Sequence, residues 1–326
     1  MTVSEATTVP FPVIDLSAWR AGDEAGRGAV TAMVDQALRT SGFLLITGHG
    51  IDEQIVADAR AASLEVFALP AETKTKYAQR DGIGSPGWIP LGLEANGYSF
   101  GQPTPPDLKE SWSVSPVAEP EYVISSHGLT PSRNAFPDEV PEFATAIERY
   151  LDCGRVLIGE LFELLEHAAE VPPDTFLSQC RVPLHTLNVT WYPPIGEVEP
   201  SPEQYRIGPH CDFGTITILS RDESDPPLQV EMPDGEWVDV PHVPGAFVIN
   251  VGDLLTHWSG GRWRSNPHRI LAPTGAARFE GRLSLVLFVE TDIGAVLRPI
   301  DDPDGEPLDA VEHLREQLAA IDMEID

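Results

Sequence analysis

Along this 326-residue chain the apolar positions recur at two periods, and the change between them divides the chain. Over residues 23 to 40, Val30, Met33, Val34, Ala37 and Leu38 fall at helical spacing, and Gly42 marks the stop. Residues 52 to 69 predict a second amphipathic helix, and residues 71 to 77 a short one after it. The longest helical pattern covers residues 137 to 171 and carries Phe143, Ile147, Tyr150, Leu151, Val156, Leu157, Leu161 and Leu164. Such a stripe predicts a long backbone helix packed against a sheet. Two strands are predicted upstream: an alternating one over residues 11 to 16, and a buried one over 42 to 51 that ends in a glycine turn. His49 lies in that turn, where a structural role is expected.

From Val182 the period shortens. Apolar runs at residues 184–192, 214–220, 228–232, 236–240, 246–251, 268–271 and 282–291 are punctuated by Gly, Pro and Asp-Gly. So many short strands in so little chain predict a sandwich or barrel. Residues 79 to 120 are rich in Gly and Pro and hold Trp88, Tyr98, Phe100 and Trp112, which suits a substrate lid or wall. Residues 1 to 9 read as a loose polar tail, and residues 301 to 326 as an acidic segment with a helix around Val311 to Ile321. The fold class expected is mainly β with helical decoration. Three regions follow, residues 1–180, 181–293 and 294–326. With no internal repeat and no clear linker, they are expected to form one compact domain.

Candidate chemistry concentrates in Ile207-Gly-Pro-His-Cys-Asp-Phe213. In extended backbone, positions two apart face the same side, so His210 and Asp212 converge while Cys211 turns away. An imidazole and a carboxylate are two parts of a two-His-one-carboxylate metal site, which leaves coordination positions open. His268, in Ser265-Asn-Pro-His-Arg-Ile270, is the candidate third ligand, and His257 and His242 are rivals by residue type. Fourteen residues on, Arg282-Leu-Ser284 is another same-face pair, opening the apolar run to Val289. Arg282 offers a planar fork suited to a carboxylate, and Ser284 a hydroxyl beside it. Arg278 is a rival by type, but it sits in a Gly-Ala loop without a serine two residues later.

The series HxD, His, RxS resembles the signature of the isopenicillin N synthase-like family of non-haem iron(II), 2-oxoglutarate-dependent dioxygenases. Other stretches carry the same likeness: the opening Pro-Val-Ile-Asp-Leu at residues 12 to 16, the Gly42 to Ile51 strand, Lys109-Glu-Ser-Trp112, and the strands at 227–241 and 244–253. The resemblance implies a double-stranded β-helix, or jelly roll, with the metal in its mouth. It favours His268 as third ligand, since it stands the expected distance before RxS. It implies iron(II) chelated by 2-oxoglutarate, the far carboxylate held by Arg282 and Ser284, with dioxygen at the last position. In Thr186-Leu-Asn-Val-Thr-Trp-Tyr-Pro-Pro194 the family's tyrosine matches Tyr192, but Thr190 stands where its asparagine is expected, with Asn188 as an alternative. Gly252-Asp253 is expected as a tight turn. For the substrate pocket, Trp88, Tyr98, Phe100 and Arg262 are the candidates, beside walls from the 85–112 segment and the C-terminal region.

Charge narrows the partners. A net charge of −30 argues against nucleic acid, which needs basic patches, and against anionic membrane surfaces. Cys153, Cys180 and Cys211 form no CxxC pair, no run of 18 apolar residues occurs, and no signal-peptide pattern opens the chain. A cytoplasmic enzyme acting on a small molecule is expected, of undetermined oligomeric state. The resemblance implies hydroxylation, with desaturation or cyclisation as variants, conversion of 2-oxoglutarate to succinate and carbon dioxide, and by analogy a place in specialised metabolism such as antibiotic biosynthesis. The alternatives are a cosubstrate-free iron oxidase of the same family and a non-catalytic jelly-roll binding protein.

Overall fold

The computed structural model describes residues 10–101, 104–115, 122–131, 133–181 and 185–322; the expected tail over residues 1 to 9 lies outside them. In chain order the elements are β1 (Val13–Asp15), α1 (Leu16–Ala21), α2 (Glu24–Thr40), β2 (Phe43–Thr47), α3 (Glu53–Phe67) and α4 (Ala71–Thr75). Then follow β3 (Gly87–Ile89), a 3-10 turn (Asn96–Phe100), β4 (Glu110–Val114), the hairpin β5 (Tyr122–Ser125) and β6 (Gly128–Pro131), and the long α5 (Pro141–Ala169). The β-rich part comprises β7 (Thr186–Tyr192), β8 (Tyr205–His210), β9 (Ile216–Arg221), β10 (Leu228–Glu231), β11 (Trp237–Asp239), β12 (Phe247–Val251), α6 (Asp253–Trp258), β13 (His268–Leu271) and β14 (Arg282–Val289). A short pair, β15 (Val296–Leu297) and β16 (Leu308–Asp309), precedes α7 (Ala310–Ile321). Aspartate side chains at Asp23, Asp52 and Asp309 accept the first free backbone N–H groups of α2, α3 and α7, which fixes where those helices begin.

Two sheets face each other. The larger runs β1-β2-β12-β9-β14-β7-β4-β3 and the smaller β11-β10-β13-β8. From β7 to β14 the chain passes repeatedly between the two, which is the jelly-roll connection expected from the sequence. Alternation along β14 then does two jobs. Leu283, Leu285, Leu287 and Val289 point to the face covered by α5 and join its core with Ile147, Leu157 and Leu161. Gly154 of α5 sits so close that an added Cβ would lie 2.9 Å from Leu287 Cδ2. Arg282, Ser284, Val286 and Phe288 point the other way, into the space between the sheets.

Four elements, β3, β4, β8 and α6, add to or depart from the sequence expectation. Within residues 79 to 120, read as a lid or wall, β3 and β4 extend the large sheet. β4 buries the polar Glu110, Ser111 and Ser113 beside Trp112 and Val114, and Glu110 accepts Lys74 Nζ at 2.7 Å and Trp88 Nε1 at 2.7 Å. β8 shows no apolar run because its buried positions are Arg206, Gly208 and His210. Gly252-Asp253 opens the six-residue α6 instead of closing a tight turn. Leu184, expected in β7, lies outside the described residues, and the strand begins at Thr186.

Candidate active site

His210 closes β8, and His268 opens β13 directly opposite it in the register. Asp212 follows two residues after His210, so all three side chains meet in the cavity between the sheets, with candidate ligand atoms within 4.8 Å of one another. Asp212 Oδ1 lies 3.7 Å from His210 Nε2 and 3.6 Å from His268 Nε2. Each imidazole is turned by a backbone carbonyl: His210 Nδ1 meets Gly208 O at 2.8 Å and His268 Nδ1 meets Asn266 O at 3.3 Å. With Nδ1–H donating to the carbonyls, both Nε2 lone pairs face the common centre. Asp212 Oδ2 accepts from Asn250 Nδ2 at 2.6 Å and from the Thr217 hydroxyl, which leaves Oδ1 for that centre. Burial and the neighbouring His268 push His210 down to about 3, so the imidazole is a neutral donor at physiological pH. Burial alone would raise Asp212, but His268, His210 and the two hydrogen bonds outweigh it and keep the group ionised.

A second set of polar groups lies along β14 and β7. Register places Arg282 opposite Tyr192, Ser284 opposite Thr190 and Val286 opposite Asn188, and all six line the cavity. Arg282 is 1% exposed, yet none of its three guanidinium nitrogens has a hydrogen-bond partner. Its closest electrostatic support is the Tyr192 ring, 5.5 Å from the guanidinium carbon. Burial pushes it down to about 10, still fully charged at neutral pH. Ser284 Oγ and Asn188 Oδ1 are also buried without partners. A desolvated cation left unsatisfied costs several kcal/mol, so this cluster is built for an anionic ligand with hydrogen-bonding oxygens.

Of the four substrate-pocket candidates, Trp88, Tyr98 and Arg262 are not among the described residues that line this cavity. Trp88 is a core residue, its indole N–H bound to Glu110 and its ring 5.2 Å from Lys74 Nζ. Tyr98 is 39% exposed on the 3-10 turn, and the Phe100 side chain lies outside the described residues. Arg262 is a latch between helices. Its Nε donates to Asp35 of α2 at 2.7 Å and its Nη2 to Ala168 O of α5 at 2.8 Å. Proximity in sequence to the His268 motif carried that expectation; the Arg262 guanidinium is instead engaged by α2 and the end of α5.

Among the other rivals, His49 Nε2 donates to Gly245 O at 3.0 Å and its ring stacks on Phe247, and His257 Nε2 donates to Leu297 O at 3.3 Å. His242 lies beside Glu223, and Arg278 is paired with Glu199. Cys211 Sγ donates to Ser265 O at 3.2 Å. The cavity is lined by Glu94, Asn96 and Lys109 of the 85–112 segment and by Leu314, Leu318 and Ile321 of α7 in the C-terminal region, the two stretches named from the sequence as walls, and by Glu290 after β14. Lys109 is ion-paired with Glu94, and Asn96 donates to Asp107 at 2.7 Å. Burial raises Asp107 to about 6 against the pull of Lys109, and it raises Glu290 to about 8 with help from Asp212. Only Lys109 lay in a motif visible in the sequence, where it read as scaffold.

Residues 177–291 match the 2OG-Fe(II) oxygenase superfamily, and residues 11–139 match the region described as non-haem dioxygenase in morphine synthesis, N-terminal. A validamycin A dioxygenase of Streptomyces hygroscopicus subsp. limoneus is 35% identical over 299 residues, covering 91% of this chain and 81% of that one. A homoarginine-6-hydroxylase of Glycine max is 27% identical, covering 89% and 88%. Among solved structures, Neurospora crassa T7H in complex with alpha-KG and thymine shares the fold at a TM-score of 0.82 and 24% identity, with 95% and 96% of the two chains covered. The unpartnered arginine, the His-Asp-His cluster and these likenesses agree. The chain belongs to the isopenicillin N synthase-like 2OG-Fe(II) oxygenase superfamily and is an oxidoreductase that uses iron(II), 2-oxoglutarate and dioxygen to oxidise a small molecule.

Proposed function

We propose that His210, Asp212 and His268 hold the iron, that Arg282 and Ser284 receive the distal carboxylate of 2-oxoglutarate, and that Tyr192, Thr190 and Asn188 complete that cosubstrate's pocket. The observation that carries this reading is Arg282, a buried guanidinium with three unpartnered nitrogens on the same cavity wall as the triad. Bound together, iron and 2-oxoglutarate supply dioxygen activation, with succinate and carbon dioxide as the products of the oxo acid. The chain's own contribution is placement. The Gly208 and Asn266 carbonyls orient the imidazoles, Asn250 and Thr217 orient Asp212, and Tyr192 supports Arg282 from one side. Ile83, Ile124, Phe213, Leu314 and Leu318 supply an apolar surround that excludes water and takes the carbon skeleton of the substrate.

Hydroxylation is the reaction proposed, as part of specialised metabolism, and the likeness to a dioxygenase named for validamycin A supports that setting. A cosubstrate-free oxidase would leave Arg282 without an anion, and a binding protein would not need the triad. We read the chain as one compact domain. The N-terminal strands β1 to β4 complete the large sheet, and α7 lines the cavity, which supports that reading. The three cysteines are free, and among the described residues no helix is long and apolar enough to cross a membrane. Both features suit a cytoplasmic enzyme. Arg282→Gln tests the cosubstrate assignment by calorimetry on anaerobic, iron-loaded protein. Loss of a charge-assisted pair of about 2 to 3 kcal/mol weakens 2-oxoglutarate by roughly 30- to 150-fold. Unchanged affinity would remove Arg282 from the site.

A further inference from the structure

We propose that Glu290 orients the substrate and receives a basic nitrogen, a protonated amine or guanidine, of the molecule to be oxidised. The inference rests on the metal and cosubstrate assignments above. Glu290 stands one residue beyond β14, is 8% exposed, lines the cavity, and its Oε2 has no hydrogen-bond partner. Its backbone is fixed by its own N–H, which donates to His185 Nδ1 at 2.9 Å. The chain makes room for the carboxylate at Gly214. A Cβ there would lie 2.6 Å from Oε2 and 2.7 Å from Oε1, while the Gly214 backbone needs no left-handed conformation. The missing side chain therefore serves the carboxylate, not a turn.

Position along β14 separates Glu290 from the cosubstrate. Residues 282, 284, 286, 288 and 290 share one face, and eight residues of strand span about 27 Å. Arg282 is at one end. Phe288 pairs with Thr217, whose hydroxyl holds Asp212, so Asp212 is tied to the strand nearer Glu290 than Arg282. A cosubstrate directed from the metal toward Arg282 leaves Glu290 on the substrate's side, against Gly214, in the cavity that Phe213 and α7 also line.

Charge then selects the ligand. Iron(II) and the oxo-acid dianion cancel, Asp212 and Arg282 cancel, and Lys109 is ion-paired with Glu94. Among the described lining residues, Glu290 is the acidic group left without a counter-charge; burial holds its proton, and a cation beside it would draw that proton off. A substrate carrying one basic nitrogen and an apolar body completes the balance.

The test is calorimetry on anaerobic protein loaded with iron(II) and 2-oxoglutarate, using n-hexylamine, n-hexanol and hexanoate as probes of matched length. The wild type is expected to bind the amine about tenfold or more tightly than the alcohol, with the carboxylate weakest. Glu290→Gln should erase the amine preference while leaving the visible iron–oxo acid absorption band and the melting temperature in place. Glu290→Asp, which keeps the charge, should retain part of the preference. Equal binding of amine and alcohol by the wild type overturns the proposal without recourse to any variant. So does an amine preference that survives in Glu290→Gln, or a band lost with that substitution, which would place Glu290 in the cofactor site. A wild type that forms no band contradicts the cosubstrate assignment first and this inference with it.

Discussion

At the scale of single residues, the site is recognisable by side chains held in states that stability alone would not select. Arg282 is a buried cation facing no anion, and His185 is a fully buried imidazole that burial pushes down to about 3. The histidine gives a pH signature. Above the unfolded value of about 6.5 it is neutral in both states and contributes nothing to the pH slope. Below that value the unfolded chain takes a proton that the folded chain refuses. Stability therefore falls by up to about 1.4 kcal/mol per pH unit as the pH drops from 6.5 toward 3. His210 shifts in the same direction in metal-free protein, so the difference between wild type and His185→Gln isolates the effect. Urea unfolding at pH 7, 6 and 5 should show the shallower slope in the variant; parallel slopes would mean that His185 protonates in place. The triad and Arg282 were legible in sequence because residue type and spacing carry their chemistry. Glu290 and Glu94 were not, because a lone carboxylate acquires its meaning only from what burial brings beside it.

At the scale of elements, hydrophobic period located the long helices α2, α3, α5 and α7 and missed the six-residue α1 and α6. β8 buries Arg206 and His210, so no apolar alternation marks it, while β4 alternates only over Ser111 to Val114 and buries its polar positions as well. Residues that carry function or buried ion pairs erase the very pattern by which strands are read. The same scale explains Arg262. Through Asp35 and the carbonyls at the end of α5 it joins α2, α5 and the loop after α6, and Trp263 adds a bond of its own from Nε1 to Asp35 at 2.9 Å. Arg262→Ala is expected to lower the melting temperature by several degrees while leaving KM for substrate and cosubstrate unchanged. A raised KM with unaltered stability would return Arg262 to the substrate pocket.

At the scale of the whole molecule, the cavity exists because strands from distant parts of the chain share one sheet and α7 closes over it. The apolar stripe of α7 at Leu314, Leu318 and Ile321 says only that one face is covered; the expectation of a wall from this region came from the family resemblance, not from a local pattern. The −30 net charge is also a whole-molecule property. Self-repulsion at this charge destabilises the folded state, and added salt screens it. The melting temperature should rise between low ionic strength and a few tenths molar sodium chloride; a fall would show that the surface ion pairs outweigh the repulsion.

The central claim is that one cavity holds iron on His210, Asp212 and His268 and 2-oxoglutarate on Arg282. Anaerobic visible absorption of iron(II)-loaded protein, with and without 2-oxoglutarate, tests it most directly, because a charge-transfer band arises only when the oxo acid binds the metal itself. The band is expected in the wild type and absent in His268→Ala. Iron binding without a band would contradict the cosubstrate assignment, and failure to bind iron would contradict the triad.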